Sequence, residues 1–251
     1  MKLFSRIEFI NNLLFRSRFH YFRMAMVHPP YWLSIGSKTT RVLADDTSGS
    51  ATCYREVIVE DCYGMLDYVK HYSPSVIVDL GANIGIFSKL CSLLFPDADV
   101  YAYEPNPTAF SWLKQNAEAT RIKAFNCAVG NKASMVMLET DCDSTIGRIS
   151  SKGNLSVKCI SATEVAECRK IDFMKMDCEG SEWLILQDNN LLKRTQSFCL
   201  EYHLYENHNL PELRRLIEQA DHRILCISPN KAYEGRFGLL WSAHLSMLEN
   251  L

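Results

Sequence analysis

The pattern of apolar and polar residues becomes regular near residue 75, where short apolar runs start to alternate with helix-like stretches. Val76–Leu80 is a β-branched run that ends at a glycine turn, and Ile84–Phe95 then follows helical spacing and stops before Pro96. Six further runs of strand length follow along the chain, at Asp99–Tyr103, Lys123–Val129, Phe173–Asp177, Ser197–His203, Arg223–Ile227 and Phe237–His244. This alternation predicts an α/β fold whose mostly parallel, seven-stranded sheet carries helices on both faces.

The region from about residue 131 to 170 interrupts this alternation. Ser134–Glu139 and Leu155–Ile160 are predicted as additional strands, and the polar stretch Thr140–Gly153 between them as a loop. Ser161, followed three residues later by Glu164, is a capping box that predicts the start of a short helix.

Residues 1–50 have no separate apolar core and are predicted to form a helical cap on a domain of residues 51–251. Within that domain Arg55–Glu60 is predicted as a strand and Tyr63–Lys70 as a helix. Residues 1–26 are basic and aromatic at helical spacing, without an apolar stretch of signal-peptide or membrane-spanning length. We interpret them as an arm packed on the domain or on a second subunit. The alternative is a peripheral contact with a membrane surface.

Composition narrows the class of protein without indicating its chemistry. A chain of 251 residues is the length of one domain, and a net charge of -2 gives no overall attraction to nucleic acid or to anionic lipid. The ten cysteines are scattered, with no CxxC pair and no zinc-finger spacing. We therefore expect reduced thiols, a reducing and so cytoplasmic compartment, and no nucleic-acid partner.

The turn Asp79-Leu80-Gly81-Ala82-Asn83-Ile84-Gly85 joins the first strand of the sheet to its helix. In an open α/β sheet the ligand crevice lies at the carboxyl ends of the strands, where glycines let the backbone approach a ligand closely. The G-x-x-x-G spacing differs from the GxGxxG of dinucleotide sites, because Asn83 replaces the middle glycine, and no phosphate loop is present. Asp79 offers a carboxylate to a cationic amine. Glu104, at the end of the second strand, offers one to the hydroxyls of a ribose.

Several segments together resemble the FkbM-type methyltransferases of the class I, Rossmann-like fold, over roughly residues 50 to 245. They are Val78-Asp79-Leu80-Gly81-Ala82-Asn83-Ile84-Gly85, Tyr103-Glu104-Pro105-Asn106, Asn126-Cys127-Ala128-Val129-Gly130, Met174-Lys175-Met176-Asp177-Cys178-Glu179-Gly180-Ser181-Glu182 and Leu200-Glu201-Tyr202-His203. The resemblance implies an S-adenosylmethionine-dependent enzyme that methylates hydroxyl groups of sugars, lipids or secondary metabolites.

The resemblance also implies roles for residues of these segments in binding the cofactor. Asp79 and the backbone of Gly81, Ala82, Asn83 and Gly85 hold the methionine part, and Glu104 holds the ribose. The adenosine is bordered by four further residues, which are Pro105, Asn106, Ala128 and Val129.

A hydroxyl acceptor is a weak nucleophile, so methyl transfer benefits from a base as well as from alignment of the reactants. The dense polar group at the ends of the fourth and fifth strands supplies the candidates. Asp177 is assigned to the methionyl end of the cofactor or to the acceptor, and His203 is the preferred base, since its ordinary pKa lies near 6.5. Glu179 or Glu201 orients that imidazole or acts as the base itself. The alternative for His203 is a strand-end histidine bonded to backbone, and for Glu182 a carboxylate at a helix N-terminus.

Other functions remain open at this stage. Asp177, Glu179 and Glu201 are the ligands that a Mg²⁺-assisted reaction would use, but no Asp-Asn pair follows the fifth strand, so the prediction is a site without metal. His28-Pro29-Pro30-Tyr31 has the wrong first residue for the box of amino-methylating enzymes. A catalytically inactive partner subunit with this fold is a further alternative. The expected ligand is a small-molecule or glycan acceptor, bound by the loops Thr140–Gly153 and Tyr31–Arg55.

Overall fold

The computed structural model describes residues 29–140, 147–166, 170–205 and 208–248. Their strands are β1 (Tyr31–Ile35), β2 (Lys38–Val42), β3 (Val76–Leu80), β4 (Asp99–Tyr103), β5 (Ile122–Phe125), β6 (Ala128–Gly130), β7 (Ser134–Thr140), β8 (Gly147–Ile149), β9 (Leu155–Ser161), β10 (Ile171–Met176), β11 (Thr195–His203), β12 (His222–Pro229) and β13 (Phe237–His244).

The α-helices of the same residues are α1 (Ser48–Tyr54), α2 (Met65–Tyr68), α3 (Ile86–Leu94), α4 (Pro107–Ala117), α5 (Ala162–Ala166), α6 (Glu182–Leu186), α7 (Asn189–Lys193), α8 (Leu210–Glu218) and α9 (Leu245–Leu248). A π-helical turn at Arg55–Val59 continues α1, and a 3₁₀ turn covers Lys231–Tyr233. No helix in the described parts of the chain has the length and apolar character needed to cross a bilayer.

The main sheet has seven strands in the order β12-β13-β11-β10-β3-β4-β5. The pairs from β11 through β10 and β3 to β5 are parallel, and β13 lies antiparallel to both of its neighbours. This confirms the predicted α/β architecture with a mostly parallel, seven-stranded sheet. From β3 the chain moves outwards to β4 and β5, and it returns at β10 on the other side. The carboxyl ends of β3 and β10 therefore flank the point where strand order reverses, which is where such sheets bind ligands.

Each face of the sheet packs against its own set of helices, because side chains alternate between the faces along every strand. In β3, Ile77 faces a core made with α3, α4 and the segment before residue 70, whereas Val78 faces one made with α5 to α8. Both residues are fully buried. Because β3 is covered on both faces, its sequence is a nearly continuous apolar run, and this run is the pattern that predicted the strand.

The segment before the sheet differs from the prediction of a helical cap. Residues 31–42 form a β-hairpin, in which Tyr31 and Leu33 are buried and Trp32 is exposed, the period-two pattern of a strand. Arg55–Glu60 was predicted as a strand, and this is wrong. The β-branched run there continues α1 as a π turn whose Val57 and Ile58 pack into the core, so tertiary packing overrides β propensity. The arm of residues 1–26 and His28 lie outside the described residues.

The region from 131 to 170 contains the two additional strands that were predicted, as β7 and β9. They belong to a small sheet of order β6-β9-β7-β8, which stands apart from the main one. The predicted strand Lys123–Val129 is split, because β5 ends at Phe125 and β6 leaves to pair with β9. Asn126 lies at the break, and its side-chain amide donates to the backbone oxygens of Glu104 and Pro105. Residues 141–146 of the predicted loop lie outside the described residues.

Gly85 begins α3 with a φ of +87°, and a Cβ there would lie 2.6 Å from Cδ1 of the buried Leu113. Gly85→Ala is therefore expected to cost about 2–4 kcal/mol of unfolding free energy, from left-handed backbone and overlap together. Gly36→Ala is the matched control, since its φ is +59° and nothing lies within 4 Å of the added Cβ. It should cost only about 1 kcal/mol. Urea denaturation measures both, and equal losses would show that the contact with Leu113 is not restrictive.

Candidate active site

A cleft of about 800 Å³, counted to its open mouth, lies at the carboxyl ends of β3 and β10. The lining residues come from the N-terminal segment, the glycine turn, the ends of four strands and the small sheet. They are Cys53, Val57, Tyr63, Leu80, Gly81, Ala82, Asn83, Phe87, Tyr103, Glu104, Pro105, Cys127, Ala128, Val129, Leu138, Gly147, Ile149, Lys175, Asp177, Cys178, Glu179 and Ser181.

The glycine turn forms one wall of this cleft. Gly81 has a φ of +74°, and a Cβ there would lie 1.7 Å from the carbonyl oxygen of Asp177. Only glycine therefore lets the turn pass this close to the end of β10. Of the turn residues predicted to contact a cofactor, Gly81, Ala82 and Asn83 line the cleft and Gly85 does not. Its predicted role at the ligand is replaced by a packing role beneath the turn.

Glu104 lies at the end of β4 with its carboxylate on the cleft wall. One carboxylate oxygen accepts a hydrogen bond from the backbone N–H of Asn83 at 2.8 Å, and the other accepts from that of Asn106 at 2.7 Å. These bonds fix the carboxylate, and each oxygen keeps a second lone pair for a ligand hydroxyl. Burial raises the pKa of Glu104 to about 7, although both backbone donors oppose the shift. The group can therefore change charge near neutral pH.

The wall beyond Glu104 contains three of the four residues predicted to border the adenosine. Pro105, Ala128 and Val129 line the cleft. Asn106 instead caps α4, where its side-chain oxygen accepts from the N–H of Thr108. The small sheet completes this wall with Leu138, Gly147 and Ile149. Gly147 and Ile149 fall within Thr140–Gly153, the loop predicted to bind the acceptor, whereas Leu138 was not assigned to the site.

Asp79 lies one layer behind the cleft, because Lys175 stands in front of it. Asp79 is 0% exposed, its Oδ2 accepts from the Ser88 hydroxyl at 2.6 Å, and its Oδ1 lies 3.3 Å from Lys175 Nζ. The predicted direct contact of Asp79 with a cofactor amine does not agree with this geometry. Asp79 is a partner of Lys175 and a support of the turn.

Lys175 is a site residue that sequence reasoning missed. It is 4% exposed, lines the cleft, and donates from Nζ to the carbonyl oxygen of Gly81 at 2.5 Å. Burial alone would lower its pKa, but the carboxylates of Asp79 and Asp177 outweigh burial and raise it, so the ammonium keeps its charge. A single lysine inside the otherwise apolar run Phe173–Met176 was the available signal, since buried lysines are rare unless paired.

Asp177 lies at the floor of the cleft and faces the N-terminal segment. Its Oδ2 accepts a hydrogen bond from the Tyr63 hydroxyl at 3.0 Å. Cys53 and Val57 lie on the same wall as Tyr63. Burial raises the pKa of the Cys53 thiol to about 12, so that it stays protonated at this wall. The sequence placed Tyr63 on a helix and gave no chemical reason to assign it to the site.

The turn after Asp177 is strained and is held by Glu182. Glu179 and Gly180 adopt φ values of +53° and +99°, and such a conformation of a non-glycine residue persists only where its surroundings enforce it. Glu182, fully buried at the start of α6, accepts from the backbone N–H groups of Cys178 at 2.6 Å and of Gly180 at 2.8 Å. Its carboxylate thus fixes the turn, a more specific role than the helix-end carboxylate considered from the sequence.

His203 lies behind Glu179 and does not line the cleft. It is 4% exposed, its Nε2 lies 3.5 Å from Glu179 Oε2, and its Nδ1 lies 3.4 Å from Glu182 Oε1. Burial favours the neutral ring, but Glu182, Asp177 and Glu179 outweigh it and raise the pKa of His203 to about 9. The ring is therefore protonated at neutral pH. That is the opposite of what the predicted general base requires.

The two glutamates beside His203 have pKa values shifted towards neutrality. Burial raises the pKa of Glu179 and of Glu201, and the nearby Asp177 carboxylate raises both further. Only Glu179 lines the cleft. Asp177, Glu179 and His203 bring one possible ligand atom each within 4.8 Å of one another, so among the residues that the structure describes this trio, and not the predicted set with Glu201, has metal-binding spacing.

A main sheet of this strand order, with a glycine turn and a carboxylate at the ends of neighbouring strands, defines the Rossmann-like fold of class I methyltransferases. The chain belongs to the FkbM methyltransferase domain family, which it matches over residues 79–224. The predicted family membership is confirmed.

Two curated relatives and one solved structure illustrate the similarity. The 31-O-demethyl-FK506 methyltransferase FkbM of Streptomyces tacrolimicus is 34% identical over 95 residues, 37% of this chain and 36% of that protein. The hexuronic acid methyltransferase AglP of Haloferax volcanii is 27% identical over 136 residues, 51% of this chain and 56% of that protein. The magnesium protoporphyrin IX methyltransferase ChlM of Synechocystis, solved with bound SAM, superposes with a TM-score of 0.48 at 11% identity and covers 97% of this chain and 99% of that one.

The matches to the curated relatives cover from 33% to 65% of the length of those proteins. The N-terminal segment that supplies Cys53, Val57 and Tyr63 lies outside the family match. The part of the cleft that this segment forms is therefore contributed from outside the family match.

The charge on His203 predicts how stability depends on pH. Because its pKa is raised from 6.5 to about 9, the stability that it contributes is fully present below about pH 6.5 and is lost as pH rises through 9. Urea denaturation between pH 6 and 9.5 should show a steeper decline for the wild type than for His203→Asn. His71→Asn removes an exposed imidazole and serves as the control. Parallel curves for wild type and His203→Asn would rule out a charged His203 in the folded protein.

Proposed function

We propose that this protein transfers a methyl group from S-adenosylmethionine to a hydroxyl group of a sugar or secondary metabolite. The observation that carries the proposal is the Glu104 carboxylate, held on the cleft wall by the backbone of Asn83 and Asn106. This carboxylate lies beside the glycine turn, whose backbone at Gly81 contacts the end of β10. The name of one relative, a 31-O-demethyl-FK506 methyltransferase, supports a hydroxyl acceptor, and that of the other, a hexuronic acid methyltransferase, supports a sugar.

The residues present fit this cofactor by their chemistry. Glu104 offers acceptor oxygens to a ribose, and Pro105, Ala128 and Val129 offer an apolar wall to a flat base. The opposite end of the cleft carries the charged groups Lys175, Asp177 and Glu179. S-adenosylmethionine supplies an electrophilic methyl group on a sulfonium. The side chains of the cleft would bind, orient and exclude water.

Glu179 is the base in this proposal, in place of His203. Glu179 lines the cleft, and its raised pKa brings it towards the neutral range in which a carboxylate can accept a proton effectively. The His203 imidazolium lies 3.5 Å behind it and orients the carboxylate towards the cleft. The proton of the acceptor hydroxyl passes to Glu179. The strained turn held by Glu182 keeps that carboxylate in place.

Binding of S-adenosylhomocysteine tests the cofactor assignment without any knowledge of the acceptor. Ribose hydroxyls donate to the ionised form of Glu104, so affinity should rise between pH 6 and 8 as this group, whose pKa is about 7, loses its proton. Glu104→Gln should bind about ten- to hundredfold more weakly and lose most of that pH dependence. Glu118→Gln, at an exposed position, is the control. Isothermal titration calorimetry that detects no binding by the wild type would refute the proposed function.

Turnover tests the assignment of the base. A panel of sugar and polyketide alcohols is screened by release of S-adenosylhomocysteine, and the best acceptor is used for kinetics. Glu179→Gln should lower kcat by about 10²–10⁴-fold with little change in KM, since only proton acceptance is lost. Glu201→Gln, outside the cleft lining, should have a smaller effect. Wild-type kcat in Glu179→Gln would show that another group, or water, takes the proton.

A further inference from the structure

The cleft wall next to the glycine turn carries two opposite charges side by side. Lys175 Nζ lies 3.7 Å from Asp177 Oδ2, and both residues line the cleft. We infer that this pair binds the amino-acid end of S-adenosylmethionine as a zwitterion, with Lys175 contacting its carboxylate and Asp177 its ammonium group. The inference rests on the proposed function and deepens it, because it assigns Lys175 to the site and removes Asp79 from direct contact.

The position of Lys175 is fixed from behind. Lys175 and Asp79 are register partners on the adjacent strands β10 and β3, so their side chains lie on the same face of the sheet. Asp79 Oδ1 lies 3.3 Å from the ammonium, and the Gly81 carbonyl oxygen accepts from it at 2.5 Å. The ammonium thus stands between Asp79 and the cleft. A ligand in the cleft meets the positive charge of Lys175 and not the carboxylate of Asp79.

Asp177 presents the negative half of the pair. Its side chain keeps 23% exposure, whereas that of Lys175 keeps 5% and that of Asp79 none. The Tyr63 hydroxyl donates to its Oδ2 and holds the carboxylate against the floor of the cleft. Of the two carboxylates next to Lys175, those of Asp79 and Asp177, the one that a ligand can reach is therefore that of Asp177.

The charges of the cofactor leave one arrangement that matches this wall. Its adenine and ribose are neutral and its sulfonium is positive, so the carboxylate of the methionyl group is its only partner for a fixed ammonium. The ammonium and carboxylate of the methionyl group are attached to the same carbon. They can therefore contact Asp177 and Lys175 at the same time, because these two side chains are neighbours on the cleft wall. Lys175 is distinct in this respect from Lys89, a buried lysine whose Nζ donates to the backbone oxygen of Asn116 and which does not line the cleft.

Three ligands separate the two contacts in the wild-type protein. S-adenosylhomocysteine has both charged groups, its decarboxylated analogue keeps only the amine, and 5′-methylthioadenosine has neither. Calorimetry should show a loss of about ten- to hundredfold on removal of the carboxylate and a further loss on removal of the amine. Equal affinity for S-adenosylhomocysteine and its decarboxylated analogue would overturn the inference while leaving the proposed function standing. Absence of binding by all three ligands would overturn both.

Variants then assign each contact to its residue. Lys175→Met should weaken S-adenosylhomocysteine about ten- to hundredfold and leave the decarboxylated analogue unchanged, and Lys175→Arg should retain part of the preference. Asp177→Asn should weaken both amine-bearing ligands and spare 5′-methylthioadenosine. Lys89→Met, the matched control, should alter none of the three affinities.

Two results with Lys175→Met would contradict the inference. Wild-type affinity for S-adenosylhomocysteine would mean that Lys175 makes no contact with the carboxylate. Equal weakening of all three ligands would mean that Lys175 only ties the turn at Gly81 to β10. Binding of 5′-methylthioadenosine also reports whether Lys175→Met is folded. If this variant does not fold, the affinities of the wild type for the three ligands decide whether the carboxylate is bound.

Discussion

The site depends on one close approach, that of the backbone at Gly81 to the backbone at the end of β10. A Cβ at Gly81 would lie 1.7 Å from the Asp177 carbonyl oxygen, so the two strand ends can meet only without a side chain there. Lys175 reinforces the same contact, because it donates to the Gly81 carbonyl oxygen from β10. With β3 and β10 locked in this way, the turn and the carboxylates after β10 face each other across one cleft. A shift of either strand end would change the ligand wall and the chemistry together.

The electrostatics of the cleft follow from crowding several carboxylates into a dry space. Burial and the Asp177 charge shift Glu179 and Glu201 towards their neutral forms, and Glu182, with Asp177 and Glu179, keeps His203 protonated. The imidazolium and the carboxylates thus stabilise each other's charges, whereas the carboxylates disfavour ionisation of one another. This explains why the histidine, which in isolation is the obvious base, is a poor one here. The surplus of negative charge favours a base that is a carboxylate and a ligand that carries positive charge.

The sequence predicted the parts of the molecule that a local pattern determines. Strands buried on both faces, such as β3, are continuous apolar runs, and the glycine turn and Glu104, which the sequence placed at neighbouring strand ends, line one cleft. It failed where distant packing decides, as at Val57 and Ile58, whose β-branched side chains suggested a strand but lie in a π turn. It also failed for Asp79, since a motif shows that a carboxylate follows a strand but not that Lys175 on the next strand stands in front of it.

The N-terminal segment contributes to the cleft from outside the family match. Tyr63, with Cys53 and Val57, closes the cleft on the side of Asp177, although all three precede the family match that begins at residue 79. The wall with Glu104 lies within that match. The cleft is therefore built partly from residues inside the family match and partly from a segment outside it. Because Tyr63 hydrogen-bonds to Asp177, the segment outside the match is connected directly to the charged residues inside it. A substitution in the N-terminal segment can therefore change the surroundings of Asp177 without altering the residues of β3, β4 or β10.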